Sequence, residues 1–199
     1  VELGSGAALL DGATEPTVAL SRVLFAAATA VVVAPPGPAD VASGAGLATR
    51  LGVPLLVSGP QLLPELDRLG VRTVLSVATG TASLPPLGDR EVLQATPEVA
   101  VTGLPLTPPA DGAVLVVREG TAVPEPLEAT LAAAGATRVV SPAVDVRAVD
   151  AVRDALRASS TGPVVGLGDL GPARHFAQRV RTTRRAPEVP GGGLLPFPG

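Results

Sequence analysis

Between Gly52 and Val71 the chain reads GVPLLVSGPQLLPELDRLGV, which compresses a strand, a turn and a helix into one short stretch. Few folds accept that unit. A short apolar strand followed at once by an amphipathic helix has to bury both faces of the strand, and it does so most simply in a parallel sheet covered by helices. The unit also recurs: RLGVPLLVSG and AAGATRVVSP share a helix end, a glycine turn and a strand, about eighty residues apart. The recurrence predicts a duplicated β-α-β-α-β architecture.

The strands expected in the first half are Ala30 to Ala34, Val53 to Val57 and Thr73 to Ala78, and in the second Ala113 to Val117, Thr137 to Val140 and Pro163 to Leu167. Helices are expected from Thr14, acting as the cap, to Ala27, and from Asp40 to Leu51. A third joins the second and third strands, with Leu62, Leu63, Leu66 and Leu69 on one face and Glu65, Asp67 and Arg68 turned outward. Later helices are expected over Glu125 to Ala134, Asp145 to Ala158 and Pro172 to Arg181. Connections of this length imply right-handed parallel crossovers. The predicted fold is therefore α/β, a three-layer helix–sheet–helix arrangement with a Rossmann/flavodoxin-like parallel sheet. Val53 to Val57 and Thr137 to Val140 are expected in equivalent interior positions. The Pro-rich stretch TGLPLTPPADG marks the junction, dividing the chain into 1–103, 104–186 and a Pro/Gly-rich linker or tail, 187–199.

Composition supports this and excludes several functions. Hydrophobic residues make up 46% and aromatics only 2%, so the core is built from Val, Leu and Ala. All 15 basic residues are arginine and the net charge is −3; with no basic stripe expected and few aromatics to stack on bases, nucleic-acid binding is not expected. The absence of cysteine rules out disulfides and thiolate metal sites. The longest apolar run, VLFAAATAVVVAPP, is too short to span a bilayer. The chain opens on Val1, which suggests a fragment or a mature product.

Few residues carry the marks of chemistry. GLGDLG fits G-x-G-x-x-G at Gly166, Gly168 and Gly171, after a strand and before a helix, where a dinucleotide pyrophosphate would approach. The dinucleotide motif normally opens its fold, however, and here it closes the second half; the acid at a suitable offset, Glu188, lies in the tail. A tight strand-to-helix turn is the simpler reading, with no cofactor. His175 is the sole histidine, no G-x-S-x-G elbow accompanies it, and it reads as a surface or interface side chain. Glu65 and Asp67, Glu125 and Glu128, and Asp150 and Asp154 read as solvated outer faces. Asp40 follows PPGPA at the end of the first strand, where it either caps a helix or faces a ligand.

Over residues 12–80, the order of Asp40, GVPLLVS and LPELDRLGVRTVLSVATG resembles the cell wall-binding repeat type 2 of Gram-positive surface proteins. The second half follows the same order of elements with weaker motifs. The aromatic of the repeat's opening and the Phe before its Pro-Asp are absent here, and its Gly-Gly is replaced by Thr79-Gly80. The resemblance implies a non-catalytic, secreted or cell-surface module that binds an anionic wall polymer and packs against neighbouring modules. The strands' C-terminal edge is the expected site, where Asp40, Ser58, Thr79, Thr81 and free helix N-termini meet hydroxyls or phosphates. Two other readings stand beside it: a scaffold domain of a larger exported protein without glycan binding, and a nucleotide-binding enzyme using Gly166 to Gly171.

Overall fold

The computed structural model describes residues 7–10, 14–77, 84–95, 112–159 and 161–185. Its strands are β1 (Ala7–Leu9), β2 (Ala30–Ala34), β3 (Leu55–Val57), β4 (Thr73–Ser76), β5 (Glu91–Gln94), β6 (Val114–Arg118), β7 (Thr137–Ser141) and β8 (Val164–Leu167). The helices are α1 (Pro16–Leu24), α2 (Pro38–Leu51), α3 (Leu62–Leu69), α4 (Glu125–Ala133), α5 (Asp150–Ala158) and α6 (Ala173–Arg185), and a 3-10 turn at Val146–Ala148 precedes α5.

The strands form two separate four-stranded sheets, ordered β3-β2-β4-β5 and β1-β8-β6-β7, and every pairing is parallel. Read from β7, the second sheet repeats the first: β7-β6-β8-β1 corresponds to β3-β2-β4-β5. The two sheets thus share one strand order. What differs is the source of the fourth strand. In the second sheet it is β1, from the start of the chain, with Ala7 opposite Val164 and Leu9 opposite Gly166. The boundary expected at 103 lies outside the described residues, and β1, from the start of the chain, completes the second sheet. The tail, 187–199, lies outside the described residues.

The central strands of each sheet, β2 and β4 in the first and β6 and β8 in the second, are buried on both faces. Val31, Val33, Leu56 and Val74 share a core with Val18, Leu20 and Leu24 of α1 and Leu62, Leu66 and Leu69 of α3, and the same core takes in Leu115, Val117, Val165 and Leu167 of the second sheet with Leu127 and Leu131 of α4. α1 and α4 are therefore held in the apolar layer between the sheets. The opposite face of the first sheet, Val32, Leu55 and Leu75, is covered by Leu47 and Ala48 of α2. That of the second, Val114, Val116 and Val164, is covered by Val152, Leu156, Phe176 and Val180. Gly44 of α2 lets this helix lie close on its sheet, since a Cβ there would stand 2.9 Å from Leu55 Cδ1.

The strands expected to be interior, β3 and β7, both lie at sheet edges. Apolar sequence measured the burial of β3 correctly and misjudged its cause. Leu55 and Leu56 are fully buried because α1 and α4 cover the edge. The outward N–H of Leu55 donates to Thr130 Oγ1 on α4 at 3.3 Å, and that of Val57 donates to Thr17 Oγ1 on α1 at 3.3 Å. Thr130 Oγ1 in turn has the carbonyls of Pro126 and Leu55 at 3.0 and 3.3 Å. Two threonines thus close an edge that would otherwise bury unpaired donors. Among the described residues β7 has no such cover, and Val140 is 47% exposed. Thr130→Val keeps the shape and removes the oxygen, leaving Leu55 N–H buried without a partner. It is expected to lower unfolding free energy by about 1–2 kcal/mol in urea titrations.

Helix limits shifted where caps decide them. α1 begins at Pro16 with Glu15, not Thr14, as its N-cap residue. α2 begins at Pro38 with Gly37 as N-cap, which places Asp40 in the first turn. α6 continues to Arg185.

Candidate functional site

At the C-terminal edge of the first sheet, loops leave β2 at Pro35 and β3 at Ser58. Asp40 is buried, and its carboxylate lies against the N-cap residue, with Oδ2 3.1 Å from where a Gly37 Cβ would stand. Its negative charge sits at the positive end of α2. The start of α3 is occupied in the same manner. Both carboxylate oxygens of Glu15 accept from Gln61 N–H, at 3.2 and 3.1 Å, and Gly59 makes room, as a Cβ there would meet Glu15 Oε1. The helix N-termini expected to be free for a ligand are therefore closed by the chain's own carboxylates, which also repel an arriving phosphate. Ser58 is half-buried beside them, its N–H donated to Ala34 O. Thr79 and Thr81 lie outside the described residues.

The glycines of GLGDLG serve internal packing. Gly166 lies in β8 where a Cβ would stand 2.8 Å from Leu9 Cδ1 and 2.9 Å from Phe176 Cζ. Gly168 has φ +87°, with Thr121 Oγ1 and Arg118 Cβ in the place of a side chain. Gly171 has φ +80°, and its N–H is taken by Asp169 Oδ1 at 3.2 Å. These glycines let β1, α6 and the loop after β6 approach the turn closely. His175 lies exposed on α6 just beyond.

A concavity lies at the opposite edge of the first sheet, where β4 and β5 begin. This cleft encloses about 740 Å³ and is lined by Thr29, Asp67, Val71, Arg72, Thr73, Asp89, Arg90 and Glu91. Arg90 is held by an ion pair to Asp67 at the end of α3 and by donating to Leu87 O at 2.8 Å, while its Nε is buried without a partner among the described residues. Thr73 Oγ1 donates to Glu91 Oε2 across the β4–β5 register at 3.4 Å. Two guanidinium groups, three carboxylates and two hydroxyls thus line one polar hollow, with no aromatic platform. Sequence reading missed it because β5 was not expected. EVLQ is short, lacks the bounded β-branched run of the other strands, and is exposed over much of its length.

Glu65 also departs from expectation. It is fully buried, while Leu63 is 39% exposed. Its Oε1 accepts from Ser21 Oγ at 2.6 Å and Arg68 Nη2 at 2.7 Å, and its Oε2 from Arg68 Nε at 2.9 Å and Arg22 Nε at 3.2 Å. Burial pushes its pKa up, yet the bonds from Arg68 and Ser21, the Arg68 charge and the bond from Arg22 outweigh that and hold it below the ordinary 4.5. Arg68 also donates to Phe25 O at 2.9 Å at the end of α1. The cluster ties α1 to α3. Asp145 is a second engaged carboxylate: its bonds from Arg147 hold its pKa down at about 2.

Among the described residues no group of three or more His, Cys, Asp or Glu is placed to hold a metal ion, and no helix is long and apolar enough to cross a membrane. Comparisons with protein-family models, with curated proteins and with solved structures find no match to the chain.

Proposed function

We propose that this chain is a non-catalytic module of an exported, surface-located protein that binds a wall polymer, and that it holds the polymer's sugar hydroxyls in the cleft at the start of β4 and β5. The cleft carries the reading. Its interleaved guanidinium, carboxylate and hydroxyl groups match the donors and acceptors of a neutral saccharide better than a phosphate, which three carboxylates would oppose. The resemblance of residues 12–80 to wall-binding repeats supports the polymer class. With no aromatic face in the hollow, affinity per module is weak and rises when several modules act together.

Arg72 and Asp89 are exposed in the cleft, so the double variant Arg72→Ala, Asp89→Ala is expected to stay folded. It should bind purified wall polysaccharide about tenfold less tightly in sedimentation or calorimetric assays, equivalent to about 1.4 kcal/mol. Loss on Ser58→Ala instead would return the site to the C-terminal edge. A parent chain that binds no wall fraction would leave the scaffold reading.

A further inference from the structure

The second sheet ends on β7 with its backbone uncovered. Thr137 N–H donates to Ala113 O, and Ser141 O accepts from Glu119 N–H, so Thr137, Val139 and Ser141 face β6. Parallel pairing turns the intervening residues the other way. Arg138 and Val140 therefore point both N–H and C=O out of the sheet. Among the described residues no group pairs with these backbone atoms. Their side chains are exposed too, next to Leu115 and Val117 of β6, which are buried.

The corresponding strand of the first sheet is treated differently. Leu55 and Val57 are the outward-facing residues of β3, and threonine hydroxyls from α4 and α1 take their N–H groups. β7 holds the same place in the strand order and receives no such hydroxyl among the described residues. It also lacks the devices that keep an edge from pairing. Its register with β6 runs unbroken from Thr137 to Ser141, without a bulge. Its one charge, Arg138, is neutralised by Glu128 at 2.9 Å.

We propose that β7 is a self-pairing edge: two copies of the chain join their β7 strands antiparallel, about a two-fold axis at Val139, into one continuous sheet. Hydrogen bonding selects this register. Arg138 of each copy lies opposite Val140 of the other, and each such pair exchanges both its bonds, so every outward N–H and C=O is used. Sliding the strands one way sets Arg138 opposite itself and calls on Ala136 N–H, which is already given to Leu131 O. Sliding them the other way calls on Pro142, which has no N–H. Charge agrees with the chosen register. No two guanidinium groups stand opposite, and the aliphatic stem of Arg138 covers the exposed Val140 of the other copy. This self-complementarity favours a second copy over an unrelated strand. Pro142 ends the pairing, and the two-fold closes it as a dimer. The contact joins identical strands, so it differs from the packing of successive modules along one chain, and it does not depend on the cleft.

The test is sedimentation equilibrium of the full chain, with amide exchange followed at several concentrations. The parent should show a reversible monomer–dimer equilibrium below about 1 mM. Exchange at Arg138 and Val140 should slow as the dimer forms, while that at Val139, already bonded to β6, should not. Val140→Arg and Val140→Glu both replace a half-exposed side chain and should change the melting temperature little and equally. Val140→Arg sets like charges opposite each other twice across the axis and should weaken the dimer about tenfold. Val140→Glu sets a carboxylate opposite Arg138 and should pair at least as tightly as the parent. Val92→Arg, on the exposed strand β5, should leave the dimer unchanged. Equal weakening by both Val140 variants, or a dimer sensitive to Val92→Arg alone, would overturn the proposal. So would a parent that stays monomeric up to about 1 mM, which would leave the edge to an extended segment of another protein.

Discussion

Glu65→Ala is expected to lower the unfolding free energy by about 3 kcal/mol. Breaking a fully buried ion pair from one side typically costs about 3–5 kcal/mol because the partner charge is stranded. The lower end applies, since Arg22 and Arg68 are 37% and 34% exposed and recover some hydration. Ser21 Oγ loses its acceptor as well, and it is fully buried. The damage should concentrate at the α1–α3 contact, so amide exchange at Phe25 and Gln61 should quicken before that of β6. Glu65→Gln separates charge from shape. The folded pKa of Glu65 lies below 4.5, so its charge stabilises the fold fully above that value and progressively less as the pH falls through the folded pKa. The gap between parent and Glu65→Gln should therefore be constant near neutrality and shrink in acid. A gap that grew in acid would mean that the cluster does not hold Glu65 ionised.

Gly168→Ala is the second large effect, with an expected loss of about 3 kcal/mol. Two costs combine: a φ of +87°, which a side chain disfavours by about 1 kcal/mol, and a Cβ forced against Thr121 Oγ1 and Arg118 Cβ, where overpacking adds about 1–3 kcal/mol. Thr121 is the more yielding neighbour. Adding Thr121→Ala should restore part of the loss and leave the backbone cost together with the contact to Arg118 Cβ, a difference that a pair of urea titrations reads. Calorimetry with NAD or FAD should give no saturable binding for either protein. Saturable binding by the parent that disappears in the variant would reinstate the dinucleotide reading.

How much of this was legible beforehand differs from element to element. β2 falls on the residues expected of it, because AVVVA is apolar on both faces and is bounded by Thr29 and a Pro-Pro turn. α3 was placed by its leucines and closed by Gly70, whose φ of +71° is the left-handed conformation of a helix end. The candidate site was legible only in part. Asp40 was weighed as a cap or a ligand-facing group, and it lies at the start of α2. The cleft escaped because its residues come from the ends of four elements, and no local pattern joins Thr29 to Glu91.

The alternation of apolar runs with helical periods was enough, by itself, to determine an α/β protein of parallel strands, because backbone pairing and burial impose those periods locally. Tertiary structure alone decided three things. It placed β1 in the second sheet, since an open edge beside β8 accepts any apolar strand that can reach it. It made Glu65 a buried residue, since two arginines and a serine from separate helices supply the hydrogen bonds that sequence hydrophobicity cannot register. And it distinguished the two edges, β3 closed by Thr17 and Thr130 and β7 open, since which donors are left unpaired depends on what the rest of the chain lays against them.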